Sequence, residues 1–527
     1  MQSKRDQVQA HAFVMSRLTS GMLLADPDAP ESPLGRTTRG VVIGTVIAVV
    51  IAAAAVVYGL INPGGNDSWR TANSLIVNKE TGGRFLYVGG RLRPVRNYAS
   101  ALLIGGADLK TTDVRTASLR DTPVGAPVGI PGAPDSVPEA GDLDGGPWQV
   151  CSAVATVDST AGTGTAALTT LVAGAPTDGT GMGADRGIVV AGPDRATYLV
   201  WRGSRLRLDK TSGAAVSLGY GSVTPRPVSA AFLDALVSGP DLAAPAVPGR
   251  GSSGPSLDGR TGRVGQVFQV RVPGSDSQYY LLRSEGLVPL TDTGAALVLG
   301  DPATRKEAYG RAAPTAAVIG AAALKEHAAP GSEGRSPASA GLPDSPPHAV
   351  DVPEGSSACA RVQPGDGGTR VTTVLVPAGS LAPAVQVDSQ QVTAACVRVD
   401  ATVVRPGHGV LVRALGGNGT AVGDTTYLVA DNGVKYRVPT AAALQALGYA
   451  QGDVEALPSP LLSMLPSGPD LSQQAAVGGT GAVTTPPGCA PGGDHLGVTP
   501  GGRLGAAVGG GLGTAAGGSL AAALPGR

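Results

Sequence analysis

Between a short polar head and the rest of this chain stands one uncharged apolar run, Gly40 to Ile61 (GVVIGTVIAVVIAAAAVVYGLI). At ~1.5 Å of rise per residue a helix of that length reaches ~33 Å, enough to cross a hydrocarbon core of ~30 Å. Residues 40–61 are therefore expected as a single transmembrane helix, with most of the protein on one side of the membrane. The flanks set the side. Arg36 and Arg39 abut the run, with Arg17, Arg5 and Lys4 behind them, whereas residues 62–69 carry only Asp67. Positive residues stay in the cytoplasm, so residues 1–39 form a cytoplasmic head and the bulk lies outside the cell membrane. Asp26, Asp28 and Glu31 dilute this bias without reversing it. A cleaved signal peptide has a shorter apolar core much nearer Met1.

Within the head, Val8, Ala12, Met15, Leu18 and Met22 recur at spacings of four and three, which places them on one face of a helix. Such a helix either lies on the inner membrane surface or docks a cytoplasmic or membrane partner. Asp26-Pro27-Asp28-Ala29-Pro30 then ends it before the span.

With 527 residues, 42% hydrophobic and 15% charged, the chain can build one or two sizeable folded units beyond the membrane. The formal net charge is zero, and no basic stripe with interleaved aromatics occurs, which argues against a nucleic-acid partner. Cys151, Cys359, Cys396 and Cys489 all follow the apolar run, on the side where disulfides form. Their spacing leaves three pairings open and matches no metal site, and Cys489 with His495 is too small a ligand set for zinc.

Beyond the span the chain repeats itself. Phe85-Leu86, Leu92, Pro94, Ala101-Leu102 and Gly105 recur at a constant offset as Tyr280-Leu281, Leu287, Pro289, Ala296-Leu297 and Gly300. At a second constant offset, Tyr198-Leu199-Val200, Leu218-Gly219-Tyr220 and Ser238-Gly239-Pro240-Asp241-Leu242 recur as Tyr427-Leu428-Val429, Leu447-Gly448-Tyr449 and Ser467-Gly468-Pro469-Asp470-Leu471. Each unit reads as a strand, a Gly-containing turn, a second strand and an Ala/Leu-rich helix. A hairpin with one helix buries too little by itself, so four ββα-type units require a shared scaffold.

The stretches WQVCSAVATV, AALTTLVAG, GIVVAG, RVTTVLVP, AACVRVDATVV and GVLVRAL supply candidate strands for one central sheet. In that arrangement Cys151 and Cys359 would cross-link its two halves. The expected fold is α+β and β-rich: a single N-terminal transmembrane helix, then an elongated extracytoplasmic region with a central β core and four small repeat domains. The expected partition is a connector at 62–83, repeat 1 at 84–140, core at 141–195, repeat 2 at 196–250 and a connecting segment at 251–278. Repeat 3 at 279–328, a Pro/Gly-rich loop at 329–357, core at 358–424, repeat 4 at 425–477 and a disordered Gly/Ala-rich tail at 478–527 complete it.

No lysine follows glycine and precedes Ser or Thr as a phosphate-binding loop requires. Gly179-Thr180-Gly181-Met182-Gly183-Ala184 fits the dinucleotide pattern in letters, but a strand, Ile188-Val189-Val190, follows where a helix N-terminus is needed. His11, His327, His348, His408 and His495 form no constellation. No catalytic residue, cofactor or metal is expected from the sequence.

Several of these motifs together resemble a known family. Arg5-Asp6-Gln7-Val8-Gln9-Ala10-His11 with Phe13, Arg17-Leu18 and Asp26-Pro27-Asp28, then Ser74-Leu75-Ile76, Tyr198-Leu199-Val200-Trp201 and Leu465-Pro466-Ser467-Gly468-Pro469, are similar to EccB. EccB is a membrane component of actinobacterial type VII (ESX) secretion systems, and the resemblance covers about residues 1–476. The family's basic pair before the span is reduced here to Gly35-Arg36, and the Gly-rich tail is an addition. The resemblance implies a core with four repeats similar to a phage-lysin wall-binding subunit, and a core disulfide at Cys151 and Cys359, leaving Cys396 and Cys489 for a second bridge. It also implies self-association and assembly with EccC, EccD, EccE and the mycosin protease, with EccC as the motor. The function expected from this resemblance is that of a non-catalytic structural subunit of the secretion system's inner-membrane complex, with two alternatives: a wall-binding tether with exposed Trp201 or Tyr220 lining sugar sites, and the ATPase activity with which some family members are labelled.

Overall fold

In a computed structural model, the described residues are 3–24, 33–61, 67–71, 73–159, 162–271, 277–332, 341–365, 368–381, 384–387, 392–416 and 420–484. They form a mixed α/β, strand-rich fold with two long helices at the N-terminus. The chain divides into two compact units, Met1–Pro94 with Lys110–Gly125 and Val95–Leu109 with Ala126–Arg527.

The first unit begins with helices α1 (Lys4–Leu24) and α2 (Pro33–Ile61). Thr37–Gly59 within α2 is 23 residues long, strongly apolar beyond Arg39 and not covered by the other described residues, as a lipid-facing span requires. A four-stranded sheet follows, in the order Arg91–Pro94, Arg84–Val88, Ser74–Asn78, Lys110–Val114. Trp69, Ile76, Leu92 and Val114 form its core, and the Trp69 and Tyr87 rings meet edge to face at 5.4 Å.

At the centre of the second unit lies a six-stranded sheet in the order Ala401–Val403, Gly162–Val172, Trp148–Ser159, Ser356–Gln363, Arg370–Pro377, Thr180–Gly181. Two segments expected in this sheet are elsewhere. GIVVAG supplies the strand Arg186–Ala191 and GVLVRAL the strand Val410–Leu415, which are inner strands of the second and fourth repeat sheets. The physical reason is satisfaction of backbone groups: a two-stranded hairpin leaves one inner edge open, and the strand preceding it in sequence pairs with that edge.

The same device completes all four repeats. A strand before the hairpin pairs antiparallel with it, and a strand after the helix returns parallel to that preceding strand. The parallel pairs are Ser74–Asn78 with Lys110–Val114, Arg186–Ala191 with Arg226–Pro227, Val267–Val270 with Ala317–Val318, and Val410–Leu415 with Glu455–Pro458. Each ββα unit is thus the middle of a βββαβ unit, and its first strand lies upstream of the boundary that turn residues alone suggest.

Helices starting at Asn97, Thr291 and Thr440 are capped by those side chains, which accept from the amides of Ser100, Gly294 and Ala443. Two helices of the second unit each share a core with residues of another repeat. Tyr98–Gly105 buries Ala99, Leu102 and Leu103 with Leu444, Leu447 and Tyr449 of the fourth repeat. Asp292–Gly300 buries Leu297 with Leu199, Leu206 and Tyr220 of the second. Small units that cannot close a core alone share one.

The Pro/Gly-rich stretch expected as a loop is tied to the second and third repeats at several of its described residues. Tyr220 Oη donates to Pro347 O at 2.7 Å, His348 N to Asp185 O at 2.7 Å, and Thr293 N to Asp344 O at 3.0 Å. Residues 333–340 of that stretch, and residues 485–527 of the expected disordered tail, lie outside the described residues.

The repeated Ser-Gly-Pro-Asp-Leu motif has a backbone cause. Gly239 N donates to Arg205 O and Gly468 N to Lys435 O, while Leu242 N donates to Arg207 O and Leu471 N to Arg437 O. Both segments therefore run along the second hairpin strand with the same bonds. A Cβ on Gly239 would collide with the Leu206 side chain, and one on Gly468 with the Tyr436 ring. Gly468→Ala is expected to destabilise the full chain by about 1–3 kcal/mol through this overpacking. Gly452→Ala, which meets nothing within 4 Å, is the matched control, and denaturant unfolding of the two variants checks the difference.

Candidate functional site: the core disulfide and its junction with the fourth repeat

Alternating small and branched residues make Trp148–Ser159 and Ser356–Gln363 strands with one face on each side of the core sheet. Their antiparallel register sets Cys151 opposite Cys359, and the two are disulfide-bonded. Both are buried among Val172, Val374, Val376 and Val403. The bond spans a sequence separation of 208 and closes the loop that carries the second and third repeats. Cys396 is also disulfide-bonded and exposed. Cys489 lies outside the described residues.

Two chain segments entering the core are tied by charge. Asp144 is buried and accepts from Arg405 Nε at 3.0 Å and from Arg405 Nη2. That partnership holds the Arg405 guanidinium above its ordinary value. His408 Nδ1 lies 3.0 Å from the Asp142 carbonyl and 3.4 Å from Asp144 Oδ1. Asp144 N donates to Gly409 O at 2.7 Å, and Gly407 N donates to Asp431 Oδ2 at 3.0 Å. His408 reads in sequence as a turn residue. Its carboxylate partner is far upstream, and no local spacing announces the pair.

Beside this junction Lys435 is 3% exposed. Its Nζ donates to the carbonyls of Leu465, at 3.0 Å, and Leu462, at the end of the short helix Ser459–Ser463. No carboxylate pairs with it among the hydrogen bonds and ion pairs described, and burial pulls its ammonium down to about 8. A groove of about 440 Å³ opens nearby, walled by Val385, Val387, Val392, Val399, Met464 and Pro466.

The sequence-derived candidates fall as follows. Val8, Met15, Leu18 and Met22 of α1 are exposed, as is Ala12, and Phe13, off their stripe, is exposed too, so the apolar surface is wider than one face. Arg39 is exposed in α2, and Arg36 stands outside the described side chains. Tyr220, expected as an exposed sugar-lining aromatic, is instead buried, its hydroxyl pushed up to about 12 by desolvation. Its repeat equivalent Tyr449 is buried likewise and donates to Pro138 O at 2.7 Å. Trp201 is half-buried and donates to Ala184 O at 2.6 Å. In the Gly179–Ala184 segment, Thr180–Gly181 pairs with Arg370–Pro377 as an edge strand, and the strand Arg186–Ala191 follows. Among the described residues no three His, Cys, Asp or Glu side chains gather as a metal site would need.

The profile of the family described as "Type VII secretion system ESX-1, transport TM domain B" matches residues 1–485. The chain is 29% identical over 513 residues to the "ESX-3 secretion system ATPase EccB3" of Mycolicibacterium smegmatis, covering 92% of each. It is 27% identical over 477 residues to the "ESX-1 secretion system ATPase EccB1" of Mycobacterium tuberculosis, covering 89% of this chain and 93% of that protein. A chain of the intact ESX-5 inner membrane complex superposes with a TM-score of 0.59 at 25% identity, covering 94% of this chain and 99% of that one. The EccB3 dimer of the ESX-3 core complex shares the fold with a TM-score of 0.59 at 24% identity, covering 76% of this chain and 99% of that one.

The lysine gives a pH-dependence with a definite sign. Its folded value of about 8 lies below the ordinary 10.5, so the charged form opposes folding below pH 8. That opposition fades as pH rises from about 8 towards 10.5, where the unfolded chain still binds the proton. The stability of the full chain relative to Lys435→Met should therefore rise across this window by up to about 3 kcal/mol. Denaturant unfolding at pH 7.5 and pH 10 checks this, and parallel pH profiles for the two proteins would contradict it.

Proposed function

The chain belongs to the EccB family of type VII secretion transport proteins, a component of the ESX inner-membrane complex, and on that premise we propose that it is a non-catalytic structural subunit. In this reading α2 anchors it as a single-pass protein with residues 1–39 cytoplasmic. The exposed apolar surface of α1 docks partners on the inner face. The repeats form the extracytoplasmic part of the assembly, in contact with further copies and with EccC, EccD, EccE and the mycosin protease.

One observation carries the proposal. The polar features of the second unit hold chain segments to one another: Cys151 to Cys359, Asp144 to Arg405, Tyr449 to Pro138 and Lys435 to two carbonyls. Such groups fix geometry, and geometry is what a scaffold contributes. The names of the relatives include an ATPase activity, and this is the second reading. It predicts phosphate release by the purified full chain that disappears with a single substitution. The wall tether is weakened by the burial of Tyr220, though Trp201 is only half-buried.

Affinity purification of the full chain from native membranes in mild detergent, followed by a native gel and mass spectrometry, tests the proposal. Co-migration with EccC, EccD and EccE is expected, and Met15→Asp with Leu18→Asp should reduce it severalfold while leaving membrane insertion intact. A partner-free band that hydrolyses ATP or retains wall glycan would overturn the structural-subunit reading.

A further inference from the structure

The tip of the second repeat's hairpin carries a side chain that its turn disfavours. Trp201 and Ser204 pair across the hairpin, and the two residues between them, Arg202 and Gly203, both have positive φ, 49° and 80°. That is the backbone of a type I′ turn, whose first position favours Asn, Asp or Gly. The same turn is built from Gly89-Gly90 between Val88 and Arg91, and from Asp258-Gly259 between Leu257 and Arg260. A long charged residue at the first position is strained, and strain of this kind collects where a side chain serves something besides folding.

Arg202 is exposed, and its guanidinium carbon stands 5.3 Å from the centre of the Trp201 ring. The ring is fixed: Trp201 Nε1 donates to Ala184 O at 2.6 Å, and the ring packs against the core of the repeat. The turn is fixed too, because Gly203 N donates to Thr373 Oγ1 at 3.0 Å and a Cβ on Gly203 would collide with the Val371 carbonyl. Arg202 is therefore held beside the start of the core strand Arg370–Pro377. Two more exposed arginines flank it. Arg370 directly precedes Val371, and Arg186 opens the strand in which Ile188 pairs with Val200, a register that carried onward sets Arg186 opposite Arg202. Asp185 is the carboxylate next to them in sequence, yet no carboxylate pairs with Arg186, Arg202 or Arg370 among the ion pairs described.

Arginine and tryptophan held rigid at a surface are the composition of an interface hot spot, and a planar guanidinium meets a carboxylate with two parallel bonds. With Arg202 over it and the repeat core against it, the Trp201 ring is poorly placed to stack a sugar. We infer that this hairpin tip docks an acidic segment of a protein partner, with Arg202 as the central contact and Arg186 and Arg370 beside it. The unpaired positive charge gives the sign of the segment, and the choice of a protein as its bearer rests on the structural-subunit reading.

Hexaglutamate added to the full chain in detergent tests it, read by acrylamide quenching of tryptophan fluorescence. The chain has three tryptophans, and Trp69 and Trp148 are fully buried, so quenching reports on Trp201. Hexaglutamate should protect Trp201, and severalfold less as salt is raised. Arg202→Asn should abolish the protection while raising the unfolding midpoint, since Asn suits this turn better than Arg; an arginine that served only the fold predicts a lower midpoint. Arg370→Gln should weaken the protection severalfold. Absence of protection in the wild type, protection retained in Arg202→Asn, or protection by inorganic polyphosphate but not by hexaglutamate would overturn the inference. Recovery of the wild-type complex on a native gel is read separately, so that a complex which assembles while hexaglutamate fails removes the docking site and leaves the structural-subunit reading standing.

Discussion

Everything in the second unit depends on two strands being adjacent. Trp148–Ser159 and Ser356–Gln363 come from distant parts of the chain, and their pairing is what makes a single sheet out of two sequence halves. Fully buried Val150, Ala358, Ala360 and Val362 lie along that seam, and Trp148 begins it. The Cys151–Cys359 bond fixes its register, because slipping by one residue would turn each buried side chain to the opposite face. In the chain-entropy account a loop of 208 residues restrained in this way is worth about 5 kcal/mol. Between the paired strands the second and third repeats form one closed excursion of the chain.

The repeats are small, and the structure shows how they persist. Each takes one strand from before its hairpin and one from after its helix. Two helices then share cores in pairs, the one after the first hairpin with the fourth repeat and that of the third with the second. The described part of the Pro-rich stretch joins the latter pair through Asp344, Pro347 and His348. An architecture built this way gains rigidity from many modest connections.

Much of this was legible in the sequence, and for identifiable reasons. The span follows from length and apolarity, the repeats from constant offsets, and the Ser-Gly-Pro-Asp-Leu motif recurs because its glycine must pass close to a large side chain of the second hairpin strand, Leu206 in one repeat and Tyr436 in the other. The assignment of GIVVAG and GVLVRAL to the central sheet went astray because a buried strand looks the same whichever sheet it joins. Tyr220 was open to a sugar-binding reading since one sequence does not reveal that Pro347 will cover it. The Asp144–Arg405–His408 junction and the buried Lys435 were invisible, because their partners are distant in sequence or are backbone carbonyls.

The central claim is that the disulfide-closed seam creates the geometry on which assembly depends. Its most direct test is Cys151→Ala with Cys359→Ala in the full chain, read by recovery of the ESX inner-membrane complex on a native gel alongside the unfolding midpoint. The account predicts a lower midpoint and a matching loss of assembled complex. A variant that unfolds earlier yet assembles as fully as the wild type would contradict it.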